Sequence, residues 1–177
     1  MAIVVIGSSG RNTGKTTLAC ALISALREFE WIAVKITSHT HSDLEPIHGE
    51  LSGGDATDTA RYLTAGARRA FLVTASDDQL PLRLNELRSR LDPASHLLFE
   101  SNRIVAHIEP DLCLAIADPR DEQPKPSFTT LLNRADAIVT SGHADFERQG
   151  KPVFTLESIA EISAPMLAWL REKLRAE

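Results

Sequence analysis

The sequence predicts an α/β fold, a three-layer, doubly wound domain built on a mostly parallel sheet. Short apolar runs that suit strands alternate along the chain with longer segments whose apolar residues recur at helical spacing. The strand-like runs are apolar throughout rather than at every second position, which is typical of strands covered on both faces. The first of them passes through a glycine-containing loop directly into a helical pattern, as at the ligand-binding edge of such sheets.

The predicted strands are short and rich in β-branched residues or leucine, as buried strands are. They are Ile3–Ile6, Trp31–Ile36, Ala70–Thr74, His96–Glu100, Asp111–Ala117, Ala135–Thr140 and Pro152–Thr155. Because strands and helices alternate, we expect parallel strands whose carboxyl ends share one edge, where ligands bind.

The first predicted helix follows the loop. Its apolar face carries Leu18, Ala19, Leu22, Ile23 and Leu26. A second helix is predicted to open at Asp55 or Thr57, a third covers Asp78–Leu91, and a last begins at about Ser158. Residues 37–54 are polar, rich in histidine and too long for a plain connection, so we expect them to border the site. Residues 119–126 carry three prolines and four charges, which predicts a solvated surface loop.

Length and charge narrow the possible functions. With 177 residues and 43% hydrophobic composition, the chain is predicted to form a single domain, residues 1–177. A net charge of -5 argues against a nucleic-acid partner, which would call for a clustered basic surface.

Cys20 and Cys113 have no neighbour at metal-ligand spacing and are predicted to be core residues of a reduced protein. No apolar run is long enough to suggest a membrane span, and we expect a cytoplasmic protein.

The loop after the first strand carries the most specific signal. It contains Gly10-Arg-Asn-Thr-Gly-Lys-Thr-Thr17, the pattern of a phosphate-binding P-loop, or Walker A motif. The stricter motif has a glycine where this chain has Ser9. In such a loop, backbone N–H groups cradle phosphates, a lysine reaches the terminal phosphates and the next hydroxyl ligates Mg²⁺. This predicts a P-loop NTPase whose nucleotide contacts Gly10, Arg11, Asn12, Thr13, Gly14, Lys15, Thr16 and Thr17.

Three oxygen-bearing side chains are candidates to hold the metal ion: Thr16, Asp43 and Glu100. Glu100 ends an apolar strand, where a carboxylate could hold Mg²⁺ or orient an attacking water, so Lys15 and Glu100 are the predicted catalytic residues. For Glu100 a solvated strand-end carboxylate is an equal alternative. Asp58 is a candidate for the metal or a substrate, or simply an acid that complements a helix dipole.

The histidine-rich segment offers further ligand contacts. Lys35, His39 and His41 are predicted to contact the nucleotide or a second ligand. The two histidines are one residue apart and would point the same way in an extended segment, but no third metal ligand is evident, so hydrogen bonding is the preferred role.

The motifs together resemble a known family. Gly10–Leu18, Val34-Lys-Ile-Thr-Ser-His-Thr-His-Ser-Asp43 and Asp58-Thr-Ala-Arg-Tyr-Leu-Thr-Ala-Gly-Ala67 resemble three consecutive blocks of molybdopterin-guanine dinucleotide biosynthesis protein B. The resemblance implies a P-loop protein that binds GTP with Mg²⁺ and is often a homodimer. It also implies a role beside the guanylyltransferase that joins GMP to molybdopterin in molybdenum cofactor biosynthesis.

Other functions stay open on the sequence. The Asn-Lys-x-Asp element that selects guanine in many P-loop proteins is absent, since the corresponding place reads Thr140-Ser-Gly-His-Ala-Asp145, and ATP is an alternative to GTP. No obvious arginine finger or water-orienting glutamine is evident in the sequence, and Arg11, in the loop itself, is the only near candidate. We therefore expect a weak NTPase, with GTP hydrolysis favoured over ATP hydrolysis. One rival is an ATP-dependent ligase or kinase similar to dethiobiotin synthetase, in which Lys35 and the histidine-rich segment would bind an acidic substrate. Another is a non-catalytic adapter ordered by bound nucleotide.

Overall fold

The computed structural model describes residues 1–38, 45–118, 120–121, 124–141 and 150–175. Within these residues the chain forms one eight-stranded sheet. The strands are β1 (Ile3–Ser8), β2 (Ile32–Thr37), β3 (Ile47–Gly49), β4 (Arg69–Thr74), β5 (Leu97–Glu100), β6 (Leu112–Ile116), β7 (Ala137–Thr140) and β8 (Val153–Thr155).

The sheet is parallel except at one edge. Its order is β3-β4-β2-β5-β1-β6-β7-β8, and β3 alone runs antiparallel to its neighbour β4. The chain leaves β1 towards β2 on one side and later fills the other side with β6, β7 and β8. The strand order therefore reverses around β1 and β5, and open α/β sheets bind ligands at such a switch point.

Helices cover both faces of the sheet. They are α1 (Lys15–Ala25), α2 (Asp58–Ala65), α3 (Leu80–Ser89), α4 (Pro126–Arg134) and α5 (Ala164–Arg175). Buried residues of α1, α2 and α5 pack in one hydrophobic cluster, and those of α3 and α4 pack in a second. Alternate residues of β1 divide between them, since Val4 and Ile6 join the first cluster and Val5 joins the second. The predicted three-layer, mostly parallel α/β fold is confirmed.

The predicted apolar face of α1 is buried in full. Leu18, Leu22 and Ile23 have no exposed surface, and neither do Ala19 and Leu26. Cys113 is fully buried, as predicted, while Cys20 is half-buried at the edge of the first cluster. No helix among the described residues has both the length and the hydropathy needed to cross a bilayer.

Three elements differ from the sequence prediction. Strand β3 lies inside the segment predicted as a loop. Ile47, which pairs with Val73, is the one apolar residue of this three-residue strand, and such a short run gives no recognisable strand pattern. Helix α4 was not predicted. It begins at Pro126, where the charged loop was predicted to end, and a proline fits the first turn of a helix. Helix α5 begins at Ala164, six residues after the predicted Ser158, whose hydroxyl accepts a hydrogen bond from the Ala160 N–H in a turn.

Truncation of a buried leucine and of an exposed one distinguishes the core from the surface. Leu22 in α1 has no exposed surface, whereas Leu82 in α3 is 55% exposed. We expect Leu22→Ala to lower the free energy of unfolding by about 2–5 kcal/mol, because it removes buried methyl groups and leaves a cavity. We expect Leu82→Ala to change it by about 0.5 kcal/mol or less. Urea denaturation of both variants checks this, and equal losses would contradict the assigned core.

Candidate functional site

The loop between β1 and α1 lies at the carboxyl edge of the sheet, at the switch point. Gly14 precedes α1 as its N-terminal cap with φ 90°, in the left-handed region where glycine is favoured. Side-chain atoms of Ile159 would lie 3.0 Å from a Cβ at this position, so a larger residue would press against Ile159 in addition to the backbone strain. The positive end of α1 therefore faces the edge of the sheet, where an anion is favoured.

Ser9 accounts for the deviation from the strict motif. Its side chain is nearly buried, its N–H donates to the Ile116 carbonyl at 3.0 Å, and its Oγ accepts from the Asp118 N–H at 3.1 Å. The Ser9 hydroxyl, which a glycine at this position would lack, therefore links the loop to the residues that follow β6. A serine here adds a hydrogen bond between the loop and the neighbouring strand.

Lys15 turns back over the loop. Its Nζ donates to Ser8 Oγ at 2.7 Å and to the Gly10 carbonyl at 3.2 Å. Both acceptors are neutral, and no described carboxylate lies within 4 Å of this ammonium. Burial lowers the pKa of Lys15, an effect that Glu100 offsets in part and Lys35 reinforces. Lys15 is thus a partly desolvated cation without an anionic partner among the residues that the structure describes.

Glu100 lies at the end of β5 between β1 and β2. Its register partners are Ile6 on one side and Lys35 on the other, and the residue is 3% exposed. Oε2 accepts hydrogen bonds from Thr16 Oγ1 at 2.7 Å and from the Tyr62 hydroxyl. Oε1 accepts from Lys35 Nζ at 2.9 Å. The alternative of a solvated strand-end carboxylate is therefore wrong.

Helix α2 presents Asp58 and Arg61 to this cluster. Thr57 caps the helix by accepting from the Ala60 N–H at 3.0 Å, and Asp58 in the first turn pairs with Lys35. Arg61 lies 3.6 Å from Asp58 and donates to Thr17 Oγ1 at 3.4 Å. Burial alone would raise the pKa of Asp58, but the hydrogen bond and charge of Lys35 outweigh it and hold that pKa low.

Tyr62 is one of two site residues that the sequence prediction missed. Positions 58, 61 and 62 lie on one face of a helix, since they are three and four residues apart, and this spacing is the signal that could have found it. The ring is fully buried. Burial, and then the nearby charge of Glu100, raise the pKa of its hydroxyl well above the usual 10.0.

Asn102 is a second missed residue. Its Oδ1 accepts from the Ser8 N–H at 2.7 Å, and its Nδ2 donates to the Ser8 carbonyl at 2.8 Å. A side-chain amide thus fixes the residue from which the loop departs. Polar residues just after a strand give no periodic signal, so the sequence pattern could not reveal this one.

The P-loop lies beside a cavity of about 730 Å³, which Asp58, Arg61 and Asn102 also line. All eight predicted loop residues, Gly10 to Thr17, line it together with Lys35 and Glu100. His39, His41 and Asp43 lie outside the described residues. Six cationic side chains face two carboxylates, although the whole chain carries a net charge of -5. The cations are Arg11, Lys15, Lys35, Arg61, Arg103 and Lys125, and the acids are Asp58 and Glu100.

The donors beside the loop suit a hard divalent cation. Thr16 Oγ1 and the Glu100 carboxylate lie in contact at the base of the cavity, and Mg²⁺ prefers a hydroxyl, one or two carboxylate oxygens and phosphate oxygens. The described part of the chain holds no cluster of three or more His, Cys, Asp and Glu side chains arranged for a metal ion. The site therefore fits a cation that shares its ligands with a bound phosphate.

Comparisons with known proteins identify the fold. Neither the protein-family models nor the curated proteins gave a match. Among solved structures the chain is similar to LpxK from Aquifex aeolicus, whose structure holds ATP, with a TM-score of 0.58 and 15% sequence identity. The match covers 86% of this chain and 53% of LpxK, so the chain spans about half the length of that protein. The fold is that of the P-loop NTPases. Residues 10–17, the predicted P-loop, lie between β1 and the first turn of α1 in this fold.

Tyr62 allows a direct test of the buried cluster, because it is the single tyrosine of the chain. We expect no tyrosinate absorbance from the folded protein as the pH rises through 10.0, since the raised pKa of Tyr62 keeps its hydroxyl protonated. The unfolded chain does lose that proton, so stability is fully present below the unfolded pKa and falls as the pH rises above it. Spectrophotometric titration checks this, with the urea-unfolded chain as the control. Ionisation near pH 10.0 in the folded protein would contradict the described contact.

Proposed function

We propose that the chain binds the Mg²⁺ complex of a nucleoside triphosphate in this cavity and hydrolyses it slowly. The observation that carries the proposal is Lys15, a partly buried ammonium whose hydrogen bonds within the described residues go to neutral oxygens beside the N-terminus of α1. Such a cation lacks the anion that would stabilise it, and terminal phosphates supply one. The similarity in fold to LpxK, whose structure holds ATP, supports a nucleotide as the source of that anion.

The remaining contacts are proposed from the same geometry. Backbone N–H groups of residues 10–14 would hold the phosphates, and Thr16 and Glu100 would hold Mg²⁺, which neutralises phosphate charge when bound. Phosphoryl transfer depends mainly on positioning and neutralisation. Arg11 lines the cavity with an exposed side chain, and Arg103 is engaged by Asp77 and the Ala75 carbonyl. Slow hydrolysis by the isolated chain is therefore expected.

The biological role rests on the family resemblance. Three sequence blocks resemble molybdopterin-guanine dinucleotide biosynthesis protein B, and their residues Lys15, Lys35 and Asp58 meet Glu100 in one cavity. This convergence supports one shared site. The resemblance, rather than the cavity, is the basis for proposing a cytoplasmic protein that assists nucleotide attachment to molybdopterin, beside a guanylyltransferase and as a homodimer. GTP would be the nucleotide in that role, whereas the resemblance of the fold to LpxK favours ATP.

A second candidate is phosphoryl transfer to an acidic small molecule. The excess of cations over carboxylates in the cavity favours it, since Arg61 and Lys125 line the cavity in addition to the P-loop lysine and could meet a second anion. Incubation with ATP and candidate acids, followed by detection of a phosphorylated product, would support this function. Nucleotide turnover that releases only inorganic phosphate would favour the first.

Removal of the Lys15 ammonium tests nucleotide binding. Charge-assisted hydrogen bonds to phosphate contribute about 1.5–3 kcal/mol each, so we expect Lys15→Ala to weaken triphosphate binding by at least about tenfold. The matched control is Lys173→Ala, because Lys173 is exposed on α5. Calorimetric titration with ATP, GTP and GDP, with and without Mg²⁺, measures the effect. A preference for GTP would support the molybdopterin role, and binding that is equal in wild type and Lys15→Ala would refute the proposed site.

The pH dependence of binding provides a second test. The free protein holds the pKa of Lys15 below its usual 10.5, and a phosphate raises that pKa because an anion favours the charged form. Affinity should therefore be constant below the free pKa and should fall as the pH rises through it, with uptake of a proton on binding. Lys15→Arg is the control, since a guanidinium stays charged over this range. An affinity that stays constant in wild type up to pH 10.5 would contradict the role of Lys15.

A further inference from the structure

Lys35 occupies a position that the proposed function leaves unexplained. It lies on β2, its side chain is 24% exposed, and its Nζ contacts both Glu100 and Asp58. Burial alone would lower the pKa of Lys35, but the two carboxylates outweigh burial and raise it. Lys15 and Lys35 thus differ in the charge of their partners, since Lys15 contacts neutral oxygens and Lys35 contacts two carboxylates.

Both oxygens of Glu100 are already occupied. Lys35 holds Oε1, and the hydroxyls of Thr16 and Tyr62 hold Oε2. A carboxylate this deeply buried is costly without a cation beside it, so Lys35 cannot leave unless another positive charge arrives. Conversely, a divalent cation that binds Thr16 and Glu100 together meets an ammonium already in contact with the same carboxylate.

We propose, resting on the proposed nucleotide site, that Lys35 is an internal counter-ion that the divalent cation replaces at Glu100 only when nucleotide phosphates take up the ammonium. Both events occur in one cavity, which Lys35, Glu100 and the P-loop line together. Lysine suits the exchange because its charge is compact and lies at the end of a flexible four-carbon chain. Asp58 remains within reach, so the ammonium keeps one carboxylate partner while it leaves the other.

The exchange makes cation binding and nucleotide binding depend on one another. Without nucleotide, Lys35 competes with the cation for Glu100, and the cation binds weakly. With nucleotide, the competitor has a phosphate partner and the cation site opens. Because such coupling is reciprocal, the cation must increase nucleotide affinity by the same factor that nucleotide increases cation affinity. The strength with which Lys35 competes for Glu100 determines the size of that factor.

The test removes the charge of Lys35 and measures Mn²⁺ binding without nucleotide. Lys35→Met keeps a long apolar stem but leaves Glu100 without its ammonium. We expect it to bind Mn²⁺ alone at least about tenfold more tightly than wild type, by electron paramagnetic resonance of free Mn²⁺, and to lose a similar factor of cation–nucleotide coupling. Lys173→Met on the surface of α5 changes net charge equally and should bind Mn²⁺ as wild type does. Equal Mn²⁺ affinity in Lys35→Met and wild type would overturn the proposal.

The variant also has a stability readout. An unpaired buried carboxylate destabilises Lys35→Met, and a cation that binds there must restore stability, so Mn²⁺ should raise its melting temperature more than that of wild type. Adding Glu100→Gln to Lys35→Met should abolish both the Mn²⁺ affinity and the Mn²⁺-dependent shift. If Lys35→Met is unfolded alone, Mn²⁺ must refold it, and failure to do so would overturn the proposal.

The two proposals can fail separately. Wild type that binds no nucleotide would refute the proposed function and with it the nucleotide-dependent exchange. The nucleotide-free Mn²⁺ titration would still decide whether Lys35 competes with a cation for Glu100. Nucleotide binding with unchanged Mn²⁺ affinity in Lys35→Met would leave the proposed function standing and refute the role of Lys35.

Discussion

The buried carboxylate of Glu100 is the group on which the candidate site depends. It lies at the end of an inner strand with almost no contact with solvent, so its charge must be met by protein donors. The three that meet it come from α1, β2 and α2, in the form of Thr16, Lys35 and Tyr62. One anion therefore fixes the relative positions of the P-loop helix, the second strand and the helix that follows the histidine-rich segment.

Lys15 and Lys35 lie in different surroundings and therefore differ in their proposed functions. Lys15 has neutral partners, so its positive charge is available to a ligand, whereas Lys35 is neutralised by carboxylates. The difference follows from the strand order, because β5 lies between β1 and β2 and brings Glu100 opposite Lys35. A P-loop protein with the same motif but another residue at this end of β2 would not share this arrangement of charge.

The sequence predicts the sheet and the loop well, and the reasons are physical. Buried parallel strands read as continuous apolar runs, and the P-loop needs glycine and lysine at fixed places, so both leave a local signal. Strand β3 gave no such local signal, because it is three residues long and has Ile47 as its one apolar residue. It forms by backbone pairing with β4. The contact of Tyr62 with Glu100 joins residues 38 positions apart, and no local pattern encodes such a distance. The spacing of Asp58, Arg61 and Tyr62 places them on one face of a helix, but it does not show that this face meets Glu100.

The contact between Asn102 and Ser8 has a consequence for how the P-loop moves. Gly7 makes this contact possible, since a Cβ there would lie 2.5 Å from Asn102 Oδ1 and 2.2 Å from Leu131 Cδ1. With Ser8 bonded to Asn102 on one flank and Ser9 bonded to β6 on the other, the start of the loop is pinned to the sheet on both sides. Any adjustment to a longer or shorter phosphate chain has to be made by the backbone between Gly10 and Gly14. A response to ligand is therefore expected in these five residues rather than in β1.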